Sequence, residues 1–307
     1  MLEPKGKDRV GMSIVNNSGN LVTILNYRKA IDVDFVFEDG TIVTGTYDNF
    51  KKGQIRKPSW EIGERVKNTQ GCWMTLIERH CDKNVDVMFD DGTVIKHKNF
   101  KNFKTGSIKN PMFPSVDEVG YFGIGKYVSR VDGKKTKPYI VWKNMIQRCY
   151  SEKWRVRYPT YQECSVCEEW HNFQNFAKWY EDNYIEYGTR DMQVDKDILH
   201  FGNKTYSPET CVFVDGRINK LICLTKKGSD LTLPIGMCKR KNSYVVSVGD
   251  GKESRHIFQS PSYEKAFIAL KNAKENYIKQ VADEYKEKYS NFPEELYEAM
   301  YKWTVIE

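Results

Sequence analysis

The chain has 307 residues, of which 40% are apolar, 29% charged and 13% aromatic, the composition of a globular protein with room for two or three cores. No run approaches the roughly 18 apolar residues that span a bilayer, and the opening MLEPKGKDRV has neither the apolar stretch nor the cleavage site of a secretion signal, so a cytoplasmic protein without a membrane partner is expected. The net charge of +7 is too small to identify a nucleic-acid binder, but residues 121–160 carry ten Lys/Arg against two acids, while residues 161–200 carry nine acids against three bases.

The first hundred residues repeat at a spacing of 52 to 53. Gly11, Gly19, Thr23, Val33, Asp34, Phe37, Asp39, Gly40 and Thr41 recur as Gly63, Gly71, Thr75, Val85, Asp86, Phe89, Asp91, Gly92 and Thr93. After a one-residue insertion, Asn49, Phe50, Lys51, Gly53, Ile55 and Pro58 recur as Asn102, Phe103, Lys104, Gly106, Ile108 and Pro111. Both copies alternate apolar and polar residues around Asp-Gly, a strong hairpin signal, so two small β units are expected over residues 5–58 and 59–113. Binding or spacing, not catalysis, is the role that suits them. Their tails, YDNFKKGQIRKP and FKNFKTGSIKNP, interleave aromatics with Lys/Arg. Stacking on nucleic-acid bases and a solvated edge strand protected by lysine are the two readings.

From Pro138, the string PYIVWKNMIQRCY places Trp142, Met145, Ile146 and Cys149 at i, i+3, i+4 and i+7, one face of a helix. EEWHNFQNFAKWYEDNY follows, with Trp170, Phe173, Ala177 and Tyr180 on a second stripe, read as core. MQVDKDILHFGNKTYSPETCVFVDGRINKLI then reads as strand, loop, strand and short helix. Basic residues alternating with Tyr and Trp across residues 126–158, among them Lys126, Arg130, Lys134, Lys135, Arg155 and Arg157, suit phosphate contacts.

Over roughly residues 120–225 the chain resembles the HNH-type nuclease domains of phages and mobile elements, through WKNMxxRCY, VCEEW, VDKDIL, GNKxYSPETCVFV and IN in that order. The resemblance implies a ββα hairpin holding one divalent ion, magnesium or manganese, that polarises a phosphoryl oxygen. It puts the metal ligands on Asp195 and Asn219, the general base on Lys196 and the residue orienting that base on Thr210. The last two depart from the family's His and Asn. A lysine is protonated at neutral pH unless burial or a neighbouring cation depresses its pKa, and between Asp195 and Asp197 it is expected to stay charged. His200 is then the candidate displaced base, against a surface histidine, and Asp197 a candidate ligand or base. The chain's eight cysteines are expected as reduced thiols. Cys164 and Cys167 form C-x-x-C, and with Cys149 and Cys211 they would make a closed structural zinc site; inert buried thiols are the other reading.

Residues 231–307 read as short strands, a Ser-Pro-Ser entry and a helix with Ala266, Phe267, Leu270, Ala273, Tyr277 and Val281 on one side, closed by FPEELYEAMYKW. This resembles the plant ethylene-response-factor DNA-binding domain and relatives attached to phage HNH nucleases, and implies a sheet whose outer face reads the major groove. Lys239, Arg240, Lys241, Tyr244, Lys252 and Arg255 fall on that face by the resemblance. The expected whole is an α+β multidomain chain, a double-stranded-DNA endonuclease with one divalent metal. The rival is a non-catalytic DNA-binding protein with a degenerate site, and a protein or RNA partner is a third reading.

Overall fold

Alternation around the two Asp-Gly pairs builds the same sheet twice. In the computed structural model, which describes residues 6–57, 62–188, 192–222, 233–249 and 254–305, the chain divides into two units, Met1–Phe113 and Pro114–Glu307. In the first unit, β1 (Ser13–Val15), β2 (Leu21–Lys29), β3 (Asp32–Phe37) and β4 (Ile42–Gly45) form an antiparallel meander that ends in α1 (Tyr47–Lys51). The second copy has β5 (Arg65–Lys67), β6 (Trp73–Cys81), β7 (Asn84–Phe89), β8 (Val94–Lys98) and α2 (Phe100–Lys104). The Asp-Gly turns require left-handed backbone, and Gly40 and Gly92 supply it at φ 82° and 83°.

Each copy has its own core, Val22, Ile24, Val33 and Phe35 in one and Met74, Leu76, Val85 and Val87 in the other. Tyr47 and Phe50 of α1, and Phe100 and Phe103 of α2, belong to these cores. Both readings of the basic tails therefore need correction. The aromatics are helical and turned inward, so they are neither an edge strand nor a surface for stacking bases.

In the second unit, β9 (Arg130–Val131) and β10 (Lys134–Lys135) form a short hairpin. Next, α3 (Lys137–Tyr150) buries Trp142, Met145, Ile146 and Cys149, the stripe expected from their spacing. After α4 (Glu152–Arg157) and β11 (Ser165–Val166), α5 (Phe173–Asn183) starts at Asn172, whose side chain accepts from the Gln174 N–H. The expected strand, loop, strand and helix follow as β12 (Gln193–Asp195), β13 (Thr205–Tyr206), β14 (Val212–Val214) and α6 (Gly216–Ile222). Here β12 pairs antiparallel with β14, and β13 runs parallel to β11. Last come the antiparallel sheet of β15 (Met237–Arg240), β16 (Ser243–Gly249) and β17 (Ser254–Ser260), then α7 (Tyr263–Lys288) and α8 (Glu294–Lys302). The architecture is α+β with several small sheets.

The separation expected between residues 120–225 and 231–307 is not seen, because one continuous core runs from Trp142 and Phe173 through Val214 to Leu270, Tyr285 and Met300. Tyr187 packs edge-on to Phe292 and Tyr285, with centroids 5.0 and 6.3 Å away. Beneath them Asp215 is fully buried, accepting the Tyr285 hydroxyl at 2.9 Å and the Arg217 N–H at 2.7 Å. The C-terminal helix thus finishes the hairpin's core.

Candidate functional site

The hairpin of β12 and β14 presents the residues singled out by sequence. At the end of β12, Asp195 Oδ1 accepts the backbone N–H groups of Asp197 and Ile198 at 3.0 and 2.9 Å, an Asx turn that bends the chain out of the strand. Burial, joined by the charge of Asp197, pushes the Asp195 carboxyl up to about 6 against the pull of those two N–H donors.

Lys196 is the next residue, so its side chain leaves the strand on the opposite face. It is only 9% exposed, with Nζ 3.0 Å from Asp197 Oδ2 and 5.6 Å from the centre of the Tyr206 ring. Burial works against its charge, but the attraction of Asp197 and the hydrogen bond to it prevail, and its pKa is raised. Lys196 is therefore a cation at neutral pH, as its flanking aspartates imply.

The loop after β12 is braced by a residue the sequence reading missed. Asn203 Nδ2 donates to the carbonyls of Lys196 and Thr205, both at 2.7 Å. Thr210 Oγ1 donates to the same Thr205 carbonyl at 2.8 Å and lies 3.1 Å from Ser207 Oγ, so Thr210 secures the loop backbone, with no base to orient. Asn203 sits in a Gly-Asn loop signal, but a carbonyl brace leaves no separate mark in a sequence.

Asn219 on α6 donates from Nδ2 to Gln193 Oε1 at 2.5 Å. Gln193 and Asp195 are two apart on one strand, so Asn219 and Asp195 come to the same face with Gln193 between them. His200 is exposed in the loop. Among the described residues, Asp195, Asp197 and His200 do not bring ligand atoms within 4.8 Å of one another. One Asp195 oxygen is committed to the turn and the Asn219 amide N–H to Gln193, so the atoms left to hold a magnesium or manganese ion are Asp195 Oδ2 and Asn219 Oδ1, with a cation at the base position.

The thiols do not fit structural zinc. No three sulfurs of Cys149, Cys164, Cys167 and Cys211 lie within 4.8 Å of one another. Burial pushes Cys149 and Cys211 up to about 12, holding them as neutral thiols, and raises Cys164 and Cys167 as well.

The expected phosphate contacts divide. Lys134 and Lys135 are exposed on the β9–β10 hairpin with no carboxylate of the described residues within 4 Å, and Arg157 is exposed over the Tyr158 ring. Lys126 is engaged by Glu181 at 2.9 Å, Arg130 donates to the Gly133 carbonyl at 2.6 Å, and Arg155 turns inward to the Cys149 carbonyl at 2.6 Å.

The C-terminal sheet needs a correction. Directly paired residues share a face, and the pairs Met237↔Val246↔Phe258, Lys239↔Tyr244↔Ser260 and Val248↔Arg255 lie on the side where α7 packs. Tyr244 stands edge-on to Tyr263 of α7 with centroids 5.5 Å apart, and the Lys239 ammonium lies 5.5 Å from the Tyr244 ring. Lys239, Tyr244 and Arg255 therefore do not belong to the outer face, which carries Arg240, Ser243, Val245, Ser247, His256 and Gln259. Lys241 occupies the intervening turn at φ 51°, and Lys252 lies outside the described residues.

A cleft of about 700 Å³ lies in the first unit, lined by residues of both repeats including Arg28, Asp34, Lys57 and His80. Among the described residues no helix is long and apolar enough to cross a membrane. No protein-family model, no curated protein and no solved structure matches the chain.

Proposed function

We propose that the chain binds duplex DNA through its second unit without hydrolysing it, with the β12–β14 hairpin serving as scaffold. The observation that carries the reading is the Lys196–Asp197 ion pair at 3.0 Å. It fixes a cation where the resemblance puts a proton acceptor, and a protonated amine cannot take a proton from water. The Lys196 ammonium is also turned toward Asp197 and Tyr206, so phosphate contact falls to the exposed cations of residues 121–160, Lys134 and Lys135 foremost. A short hairpin whose second strand is a pair of exposed lysines suits a polyanion because every phosphate neutralised releases a condensed counterion.

The test is fluorescence anisotropy on a duplex oligonucleotide across a salt series. Log affinity should fall linearly with log salt, and replacing Lys134 and Lys135 by Ala should flatten the slope by about 2, near 0.9 per lost contact. Absence of binding at low salt, or an unchanged slope, overturns the proposal.

A second reading, phosphodiester hydrolysis, is favoured by Asp195. A carboxyl raised to about 6 by burial and by a neighbouring carboxylate is in the range for proton transfer near neutral pH. Metal-dependent relaxation of plasmid that disappears in Asp195→Ala would establish it.

A further inference from the structure

The two repeats differ at one polar cluster, and the difference points to a bound cation. In the first repeat, Asp34 on β3 faces Asn26 on β2. Its carboxylate is held by both nitrogens of the Arg28 guanidinium at 2.6 and 2.7 Å, by Thr44 Oγ1 at 2.9 Å and by Asn26 Nδ2 at 3.3 Å. The site is an anion closed by a planar cation, which keeps the Asp34 carboxyl below its usual range.

The same frame recurs in the second repeat with the charges changed. Asp86 on β7 faces Glu78 on β6, the counterparts of Asp34 and Asn26 at the 52-residue spacing, and His80 stands where Arg28 stands. A carboxylate has thus replaced an amide, and an imidazole has replaced the guanidinium. Ligand atoms of Glu78, His80 and Asp86 lie within 4.8 Å of one another, with His80 Nε2 3.5 Å from Glu78 Oε1. Asp86 is 3% exposed, and the one hydrogen bond to its carboxylate among the described residues comes from the His97 N–H to Oδ1 at 2.9 Å. No lysine or arginine nitrogen lies within 4 Å of it among those residues.

The backbone has adapted as well. The register between β7 and β8 shifts opposite Asp86, where the second repeat carries its one-residue insertion, and His97 adopts φ 57° there. That bulge aims a main-chain N–H at the carboxylate in place of the Thr44 hydroxyl of the first repeat.

We propose that Glu78, His80 and Asp86 bind one divalent cation of the manganese or zinc class, in the place that the Arg28 guanidinium fills in the first repeat. Two independent features support it. The duplicated frame shows a cation closing this pocket in the sister copy, and Asp86, a residue 3% exposed, is left without one here among the described residues. Two carboxylates and one imidazole are ligands for a first-row divalent ion, whereas an all-oxygen set would suit calcium or magnesium. The Glu78 and His80 side chains remain 57% and 43% exposed, so the ion would keep coordination positions open to water or a further ligand.

Manganese is the probe because it avoids the thiols. Electron paramagnetic resonance on the full chain should show one tight Mn2+ per chain that persists in Asp195→Ala. The double variant Glu78→Asn with His80→Arg gives the second repeat the first repeat's own set, so it should fold, lose that ion and melt at or above the wild-type temperature. Glu78→Gln, a smaller change, should weaken binding by about tenfold or more. The proposal is overturned if the wild-type chain binds no Mn2+ at millimolar concentration, or if the double variant binds as the wild type does. Loss of the ion in Asp195→Ala with retention in the double variant would move the site to the β12 hairpin and equally overturn it. Because Asp195→Ala and the repeat variants report separately, failure here leaves the DNA-binding proposal standing.

Discussion

Replacing Asp195 by Asn should stabilise the protein at neutral pH. The Asp195 carboxyl is raised from 3.8 to about 6 by burial first and by Asp197 second. Between about pH 4 and 6 the folded chain keeps a proton that the unfolded chain has released, so stability falls as pH rises through that window and is level above it. A rise of roughly two pH units corresponds to about 3 kcal/mol, an upper figure because part of the group reaches solvent. Asparagine keeps the oxygen that accepts the Asp197 and Ile198 N–H groups while removing the buried charge. Urea denaturation at pH 4, 5, 6, 7 and 8 should show a declining free energy in the wild type and a flatter profile in Asp195→Asn. At pH 7 the variant should gain about 1–3 kcal/mol, or roughly 3–10 °C in melting temperature for a unit of this size. A variant less stable than wild type at pH 7, or a wild-type profile that rises from pH 4 to 6, would refute the reasoning.

Tyr285→Phe removes the hydroxyl that Asp215 accepts at 2.9 Å in a fully buried site, and should cost about 1.5–3 kcal/mol in denaturant titration. Because α7 shares its core with the hairpin, residues 114–307 should still unfold in one step, seen as coincident transitions by circular dichroism and tryptophan fluorescence. In native-state alkylation at pH 8, the exposed Cys238 should react readily, whereas Cys149 and Cys211, buried and raised to about 12, should react only on unfolding.

The features legible in the sequence are those set by local periodicity. The duplicated sheets followed from Asp-Gly turns between alternating residues, and α3 buries the four residues its 3.6-residue spacing marks. The strand, loop, strand and helix around Asp195 also read correctly in order. What failed depended on partners far along the chain. Tyr187, Asp215 and Tyr285 join the hairpin to the C-terminal helix across about a hundred residues, and no local signal marks such a contact. The outer face of the C-terminal sheet was assigned by the resemblance to the ethylene-response-factor domain, but strand alternation sends Lys239 and Tyr244 toward α7 while Arg240 faces away. The C-x-x-C spacing of Cys164 and Cys167 says nothing about where Cys149 and Cys211 place their sulfurs. The Glu78, His80 and Asp86 cluster was open to view once the repeats were aligned, since it lies in the substitution of His80 for Arg28.

The most direct test incubates the purified chain with supercoiled plasmid in magnesium, manganese or chelator, beside Asp195→Ala. The account predicts plasmid that stays supercoiled under all three conditions yet is retarded on a gel, with retardation lost as salt is raised. Relaxed or linear product that requires metal and vanishes in Asp195→Ala would contradict it and make the hairpin a working nuclease despite Lys196.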